Sequence, residues 1–542
     1  MSFFDRLFGR KPTDPDQIPD EMPWDRHPSI YEHVAAHVNS DQPGLSADGY
    51  ELPDESRVNA EGTVGFAIGA LDGIMSHHGG GESEEAAVRA ATQIIRAYCD
   101  QPTAVNKAAF YSSLLDGSTL GVVDPVLQGL IEDPAVNHQR LYEVAYSFAT
   151  QAIDREPVKF GIALLGIYNV PENEQLFQTL GRHDEFTLYC AVALMNSSDN
   201  PEQALWKLAQ NVDGWGRIQA VERLAETQDP EIKDWLLREG FRNSIMIEYL
   251  AYTCATTGGL LSALSQEQID RELLTAAGEI LAALFEGGPA EDIDSYADGA
   301  LATEMYLGHA ESVELTLADY INVLTIQHWL KQEDADWEMR VGMQWTPERV
   351  AELRNICEQL LSRPDCREKA LRGLSAEDRM EFHYANAVAE ALGVDTWEAH
   401  WRRLRECPDD DDRWYHMMVR CDESRIDEVV AYAERTLDLH ALAIGPAEEL
   451  GLGREWQPHQ CLNYVLQELG KFPGRGKALI QAGLQSPLIP TRNATLRALS
   501  AWGQYTWGEE LTQALQAAAA IEPDEEVRQR MERILRGEGW EE

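Results

Sequence analysis

A segment near the N-terminus combines the residue types most able to bind a metal ion. Residues 76–82, SHHGGGE, place two imidazole groups beside a glycine-rich turn, with Asp72 and Glu82 close in sequence. Imidazole nitrogens and carboxylate oxygens are ordinary ligands of zinc and iron. Adjacent histidines point in different directions on regular backbone, and a break between two helices also explains the glycines. We therefore predict a connecting loop without a metal ion, and keep His77 and His78 as the alternative metal ligands.

Two further segments carry only part of a known ligand-binding motif. In GKFPGRGKAL, residues 470–479, a phosphate-binding loop would need glycine where Lys471 stands and serine or threonine where Ala478 stands. The acidic run Asp409–Asp412 lacks the alternating spacing and the glycine of an EF-hand calcium loop. Both segments are therefore predicted to be connections between helices, and no cofactor is predicted.

The region from Trp215 to Tyr252 concentrates the residue types that dominate protein-interaction hot spots. If its helices line the inner face of a curved stack of helices, they form a groove for a protein partner. The alternative interpretation is that the aromatic rings belong to the core and the arginines cap the C-terminal ends of helices. The candidate partner-binding residues are Trp215, Arg217, Trp235, Arg238, Arg242, Asn243, Tyr249 and Tyr252.

The charge of the chain disfavours one class of partner. The 542 residues carry a formal charge of −47, with 92 acidic against 45 basic side chains. Binding to nucleic acid through counterion release needs clustered Lys and Arg, so we predict neither DNA nor RNA as a partner. Only nine of the basic residues are lysines. A carboxylate surface with arginine suits a high-salt cytoplasm, and a GC-rich genome would also favour arginine.

The sequence predicts no membrane-spanning helix, secretory signal or disulfide framework. The longest uninterrupted apolar stretch, Tyr189–Met195, is far shorter than the roughly 18–20 residues that span a bilayer. The N-terminal sequence lacks the apolar core and cleavage site of a signal peptide. The eight cysteines are scattered, without a Cys-x-x-Cys pair. A cytoplasmic location is therefore expected.

Residues 1–11, MSFFDRLFGRK, form a short basic segment on an otherwise acidic chain. The grouping of its apolar and cationic residues predicts a short amphipathic helix. Such a helix docks on its own protein, frays, or contacts a protein partner or a membrane surface. The residues concerned are Phe3, Phe4, Arg6, Leu7, Phe8, Arg10 and Lys11.

The rest of the chain divides by its proline content and its apolar periodicity. Residues 12–60 hold seven prolines among many acidic residues, which predicts a linker or draped arm with one short helix around 30–38. From 61 to 536 apolar residues recur at helical spacing in segments of about 10–18 residues, without a series of strands. We assign 61–340 to a first helical-repeat region and 341–542 to a second, continuous with the first.

Pairs of a capping residue and a proline predict helix N-termini, because proline is favoured at the first helical position, where its missing N–H would be unpaired anyway. The pairs are Asp124-Pro125, Asp133-Pro134, Asn200-Pro201, Asp229-Pro230 and Thr346-Pro347. Short helices in dense succession bury their apolar stripes only against neighbours. This is the physical condition for a solenoid of stacked helix pairs.

Two segments show a repeated helix pair best. In the first, one helix presents Arg217, Val221 and Leu224, and the next presents Ile232, Trp235 and Leu236. In the second, the corresponding residues are Arg492, Leu496 and Leu499, followed by Val527, Met531 and Ile534. We therefore predict an all-α fold, an α-solenoid of HEAT-like helix pairs with an irregular Pro/Asp-rich N-terminal arm.

The helix with the pattern Arg-x-x-x-apolar-x-x-Leu and its Asp-Pro-led partner resemble HEAT or armadillo units. More specifically, GWGRIQAVERL and EIKDWLLREGFRNSIMIEYLAYTCA, within residues 214–255, are similar to a group of bacterial helical-repeat proteins, some of them labelled limonene hydroxylase. The resemblance implies a helical-repeat fold, and the label would imply a monooxygenase. The chain contains no haem-type Cys loop, no Gly-x-Gly-x-x-Gly turn and no paired Glu-x-x-His helices to activate oxygen.

These patterns favour a non-catalytic scaffold that holds a protein partner on the concave face of an acidic α-solenoid, with the carboxylates selecting basic partners. One alternative is a helical-repeat enzyme or small-molecule binder whose site is assembled from residues far apart in sequence. Another is an acidic nucleic-acid mimic or toxin-neutralising protein, which would bind a basic protein with strong salt dependence. Enzymatic activity is left open, and no catalytic residue is assigned.

Overall fold

The computed structural model describes residues 22–39, 42–58, 69–70, 72–73, 85–115, 117–333 and 337–540. Throughout these ranges the regular structure is helical, and extended pairing is limited to two isolated bridges, Val38 with Leu45 and Glu449 with Leu488. The prediction of an all-α fold is thereby confirmed. Among the helices in these ranges, none has the length and apolar character needed to cross a membrane.

The chain separates into two compact units, Met1–Arg363 and Pro364–Glu542. Helix Pro347–Leu361 belongs to the first unit, where it packs against earlier helices. The division into helical-repeat regions 61–340 and 341–542 stays a prediction. The helices of the first unit are α1 (Ile30–His37), α2 (Glu55–Val58), α3 (Glu85–Asp100), α4 (Ala104–Leu115), α5 (Val123–Ile131), α6 (His138–Gln151), α7 (Arg155–Leu165), α8 (Asn173–Leu180), α9 (Asp184–Ser197), α10 (Pro201–Ala209), α11 (Gly214–Glu222), α12 (Pro230–Trp235, continued by a π-helical turn, Leu236–Gly240), α13 (Glu248–Gly258), α14 (Leu260–Leu264), α15 (Arg271–Glu286), α16 (Gly299–Glu311), α17 (Leu317–Leu330), α18 (Trp337–Gly342) and α19 (Pro347–Leu361).

The second unit has a core rich in tryptophan. Trp414, Trp502 and Trp507 are fully buried, and each indole N–H donates to a main-chain carbonyl at 2.8–3.0 Å, so no indole nitrogen of the three is left unpaired. The helices of this unit are α20 (Pro364–Gly373), α21 (Arg379–Ala391), α22 (Trp397–Glu406), α23 (Asp411–Val419), α24 (Ile426–Thr436), α25 (Leu439–Leu442), α26 (Gln457–Leu469), α27 (Lys477–Leu484), α28 (Ile489–Trp502), α29 (Gly508–Ile521) and α30 (Glu525–Leu535).

Three of the predicted capping pairs begin helices with proline at the first position. They are the pairs before α10, α12 and α19. The carboxylate of Asp229 accepts from the N–H of Glu231 at 2.8 Å, and the hydroxyl of Thr346 accepts from that of Arg349 at 3.3 Å. These side chains satisfy N–H groups that a helix leaves unpaired in its first turn.

The other two capping pairs do not mark helix starts. Helix α5 already begins at Val123, one residue before Asp124. Asp133 closes a turn instead, since its carboxylate accepts from the N–H of Ala135 at 2.9 Å. The following helix, α6, is capped by Asn137, which accepts from Arg140 at 3.1 Å. An Asp-Pro pair satisfies a turn as well as a helix start, so this local signal was ambiguous.

Within each unit a helix packs mainly against the next helix but one, as well as against its sequence neighbours. In the first unit each helix contacts the next one in the series α7, α9, α11, α13, α15, α17 and α19. In the second unit α23, α26, α28 and α30 form one series, and α25, α27 and α29 form another. The helical faces predicted around residues 217 and 492 lie in this packing, with Val221, Leu496 and Leu499 fully buried.

An arginine near the start of a helix recurs at three places in these series. Arg217, Arg349 and Arg492 each donate to the main-chain carbonyl five residues earlier, at 2.9, 2.7 and 2.9 Å. Each guanidinium also reaches another helix or loop, and in the last case it meets the carboxylate of Glu522 at 2.8 Å with both side chains fully buried. One guanidinium thus joins consecutive helix pairs.

We expect Glu522→Gln to lower the free energy of unfolding of the second unit by about 3 kcal/mol, because it leaves the Arg492 charge buried without a counter-charge. Urea unfolding of the full chain, followed by hydrogen exchange in residues 486–535, measures this change. The control is Glu525→Gln, whose side chain is 61% exposed in its pair with Arg528. Equal effects of the two substitutions would contradict the assignment.

Candidate protein-binding site

The predicted partner-binding residues lie on α11, on the π-helical turn of α12, in the loop after it and on α13. Trp215 is only 5% exposed, and its ring centroid lies 5.2 Å from that of Tyr249. Gly73 packs so closely on the indole that a Cβ at that position would collide with it. Trp215 is therefore a core residue of the first unit, while Tyr249 and Tyr252 are half-buried.

Arg217 donates hydrogen bonds to main-chain carbonyls just before its own helix and at the end of α12. Its Nε donates to the carbonyl of Val212 at 2.9 Å, and its Nη1 donates to those of Glu239 at 3.1 Å and Arg242 at 3.4 Å. The guanidinium also lies 5.5 Å from the ring centroid of Trp235. Burial lowers the pKa of Arg217 from its ordinary value. This arginine caps the end of α12 rather than extending into solvent.

Arg238 and Arg242 are also paired within the chain. Arg238 donates to Asp234 at 2.9 Å and through both Nη atoms to Asp270, again at 2.9 Å. Its hydrogen bonds lower the pKa of Asp270 to about 2. Arg242 donates to Glu279 at 2.9 Å and to Glu239 at 3.0 Å. Both guanidinium groups therefore hold helix ends and neighbouring helices together.

Asn243 forms the turn that follows α12. Its Oδ1 accepts from the N–H groups of Ile245 and Met246 at 2.9 Å, and its Nδ2 donates to the carbonyls of Phe241 and Met246. The turn places Ile245 and Met246 on the surface, 37% and 43% exposed. These two residues, which the sequence did not single out, are apolar groups available for contact.

The solvent-facing part of the region is carboxylate with two apolar side chains, and we call it the acidic patch. Its carboxylates are 50–61% exposed, because each one contacts an arginine on one side and faces solvent on the other. An apolar centre with a polar rim is the usual composition of a protein-binding surface, and this region supplies exposed side chains of both kinds. The acidic patch consists of Asp234, Glu239, Asp270, Glu272, Ile245 and Met246.

A buried ion cluster around Lys159 was not foreseen from the sequence. The ammonium lies 2.7 Å from Asp72, 3.2 Å from Glu156 and 2.9 Å from Glu185. Burial opposes its charge, but these carboxylates raise the pKa of Lys159 well above its ordinary value. Tyr189 donates its hydroxyl to Asp72 at 3.2 Å. One of only nine lysines, inside the apolar run VKFGIALL of α7, was the signal that could have revealed it.

Arg155 extends this cluster to the N-terminal segment. It donates to Asp54 at 3.1 Å and to Glu55 at 2.7 Å, and its other nitrogen lies 3.4 Å from Glu185. Burial acts to raise the pKa of Glu185, but the charges of Lys159 and Arg155 lower it to about 2. The cluster therefore holds residues 54–55, Gly69 and Asp72 against α7 and α9, which is a structural role.

The carboxyl of Asp184 lies beside this cluster in a different electrostatic environment. Burial, the nearby charge of Asp213 and that of Glu185 raise the pKa of Asp184 to about 8, although the N–H of Gly216 bonds to it. Burial also lowers the pKa of the adjacent His183 to about 4. At neutral pH, Asp184 thus carries a proton and His183 does not.

The other segments with partial motifs have ordinary structural partners where they can be described. Residues 1–11 and the His77–His78 loop lie outside the described residues. Lys477 begins α27 after a turn in which Gly476 has a positive φ of 67°. Asp410 pairs with Arg413 at 3.0 Å, beside the start of α23. Within the described ranges no group of His, Cys, Asp or Glu is arranged to hold a metal ion.

We expect Asp184→Asn to stabilise the first unit by about 3–4 kcal/mol at pH 7, because the unfolded aspartate has lost the proton that the folded one keeps. Stability of the unsubstituted protein therefore falls as pH rises from about 4 to about 8. The gap between the two proteins should widen by about 1.4 kcal/mol per pH unit. Urea unfolding between about pH 5.5 and 8 measures it, with the exposed Asp199→Asn as control. A pH-independent gap would disprove the raised pKa.

Arg217→Lys should destabilise the first unit by about 2 kcal/mol, because one ammonium nitrogen cannot occupy the two positions from which Nε and Nη1 contact different carbonyls. The urea midpoint and hydrogen exchange of α11 and α12 report the change. Arg89→Lys is the matched control, since its guanidinium is 66% exposed in a pair with Glu85. If the two substitutions had equal effects, Arg217 would be a surface residue rather than a helix cap.

Comparison of the chain with protein-family models and with curated proteins finds no match to either. The residues of the region present an acidic, partly apolar surface on a helical framework.

Proposed function

We propose that this protein is a non-catalytic scaffold, an acidic HEAT-like α-solenoid that binds a basic protein partner on its concave face. One observation carries the proposal: Arg217, Arg238 and Arg242 all donate to groups of the same chain. The cations of the region are therefore used inside the fold, and carboxylates and two apolar side chains are left for a partner. A surface of this kind attracts basic proteins and repels nucleic acid.

The solenoid part of the proposal is supported by how the helices pack within each unit. A helix that contacts mainly its neighbours and the next helix but one depends on local stacking rather than on a single central core. The arginine that contacts the carbonyl five residues earlier recurs on α11, α19 and α28, as expected for a repeated unit. The resemblance of residues 214–255 to HEAT-like bacterial proteins contributes the fold alone.

The acidic patch is the part of this surface that we assign to the partner, and we place the protein in the cytoplasm. Ile245 and Met246 supply apolar contact, and Asp234, Asp270 and Glu272 surround Arg238 without being neutralised by it. Three carboxylates against one guanidinium leave a net negative charge at this point. A partner with Lys or Arg near an apolar side chain is complementary to it.

The proposal is tested by charge reversal in the full-length protein. Tagged protein captures its partner from native lysate at moderate salt, and the captured protein is then purified and titrated. We expect a basic partner whose affinity falls about tenfold in the double variant Glu239→Lys with Glu272→Lys, and falls further with added salt. Melting curves of both proteins show whether the variant is folded.

The matched control is Glu525→Lys with Glu526→Lys, which makes the same change of charge at carboxylates 61% and 78% exposed in the second unit. It should leave the affinity within about threefold, because it leaves every carboxylate of the acidic patch unchanged. Equal losses in both double variants would show a general charge effect and overturn the acidic patch. Failure to enrich any protein, together with a small molecule that raises the melting temperature, would overturn the scaffold.

A further inference from the structure

A pocket of about 440 Å³ lies between α1, α6 and the start of α8 in the first unit. It is separate from the acidic patch in sequence and in the helices that form it. The residues that line it are Tyr31, Tyr142, Tyr146, Thr150, Val170, Glu172, Asn173, Gln175 and Leu176.

The aromatic wall of this tyrosine pocket is held in place by its surroundings. Tyr142 and Tyr146 lie one turn apart on α6, with ring centroids 6.3 Å apart and planes 21° from parallel. Tyr168 packs edge-on against Tyr142 at 5.5 Å. Helix α1, which contributes Tyr31, is fastened to the end of α6 because the Ser29 hydroxyl donates to the carbonyl of Thr150 at 2.8 Å. The rings are therefore ordered before a ligand arrives.

A buried amide in the wall of the pocket lacks a hydrogen-bond acceptor. Asn173 is only 1% exposed, and its Oδ1 accepts from the Tyr142 hydroxyl at 3.1 Å. Its Nδ2 has no partner among the described residues. Because that nitrogen is itself buried, no ligand atom reaches it, and the amide acts by holding the Tyr142 ring through its Oδ1.

The charge of the side chains that line the pocket determines which ligands it can bind. Among the described residues of the lining there is one carboxylate, Glu172, and no Lys, Arg or His. Anionic ligands are therefore disfavoured. The faces of tyrosine rings attract a cation through their quadrupole, and a nearby carboxylate strengthens that attraction. Tyr146 is 47% exposed, so at least one ring is accessible from solvent.

We propose that the tyrosine pocket binds a lysine or arginine side chain of a basic protein partner. The cation lies against the tyrosine rings and Glu172. This assignment rests on the proposed scaffold function and gives it a second contact with the partner.

The test uses three small probes on the full-length protein, titrated by saturation-transfer NMR. N-acetyl-lysine N′-methylamide carries the cation, N-acetyl-norleucine N′-methylamide has a neutral side chain, and N-acetyl-glutamate N′-methylamide carries a negative charge. We expect the lysine probe to bind at least about fivefold more tightly than either of the others. Equal binding of all three, or no binding of the lysine probe, would overturn the proposal. Binding of a neutral disaccharide in preference to the lysine probe would overturn it too.

Two substitutions locate the binding. Tyr146→Ala and Glu172→Gln should each weaken binding of the lysine probe at least about fivefold, through loss of a ring face and of the carboxylate. Both residues are at the surface, so neither substitution removes a buried side chain. Tyr505→Ala, at a tyrosine 89% exposed in the second unit, is the control and should change nothing. Retained binding in Tyr146→Ala would contradict the assignment.

The pocket and the scaffold fail in distinguishable ways. If a captured partner loses affinity in the acidic-patch variant but not in Tyr146→Ala, the tyrosine pocket is wrong and the scaffold stands. If the lysine probe binds as expected while no protein is captured, the scaffold is wrong and the pocket is a site for a smaller cationic ligand.

Discussion

The guanidinium groups that reach from one helix to the next are the interaction on which the rest of this structure depends. Short helices leave many C-terminal carbonyls without a donor, and a solenoid-like succession of them multiplies the problem. Arginine satisfies several carbonyls at once, because its five N–H groups lie in a planar fork that lysine lacks. Carbonyls satisfied in this way by a distant arginine include those of Glu239, Val313, Leu330, Leu374, Ala376 and Ala447.

The same use of arginine accounts for the surface. Most of the arginines described above donate to other groups of the chain, so their positive charge lies between helices. The excess of 92 acidic residues over 45 basic ones therefore gives the surface its negative charge. The acidic patch shows this most directly: Arg238 joins Asp234 to Asp270 yet leaves both more than half exposed. The tyrosine pocket follows the same rule, since it offers a carboxylate and no cation.

Much of the fold was accessible from local pattern. Helical periodicity and capping pairs predicted all-α structure, the short helix at Ile30–His37, and the starts of α10, α12 and α19. The pair Asp133-Pro134 failed because an aspartate stabilises a turn by the same hydrogen bond that caps a helix. The candidate site was predicted less completely. The residue types indicated the region. They could not show that Gly73 packs on Trp215, or that Arg217 donates its N–H groups to the end of α12.

What the sequence by itself determined is the secondary structure class, the apolar face of each clear helix and the sign of the surface charge, because these follow from spacing along the chain and from composition. Only the tertiary structure decided which groups the cations meet. Arg217 donates to the carbonyl of Glu239, 22 residues away, Arg363 to that of Val313, 50 residues away, and Lys159 to the carboxylate of Asp72, 87 residues away. Asn173 likewise becomes an unpartnered donor only where α6 and α8 enclose it. Such contacts depend on how helices stack, and no periodicity within one helix encodes them.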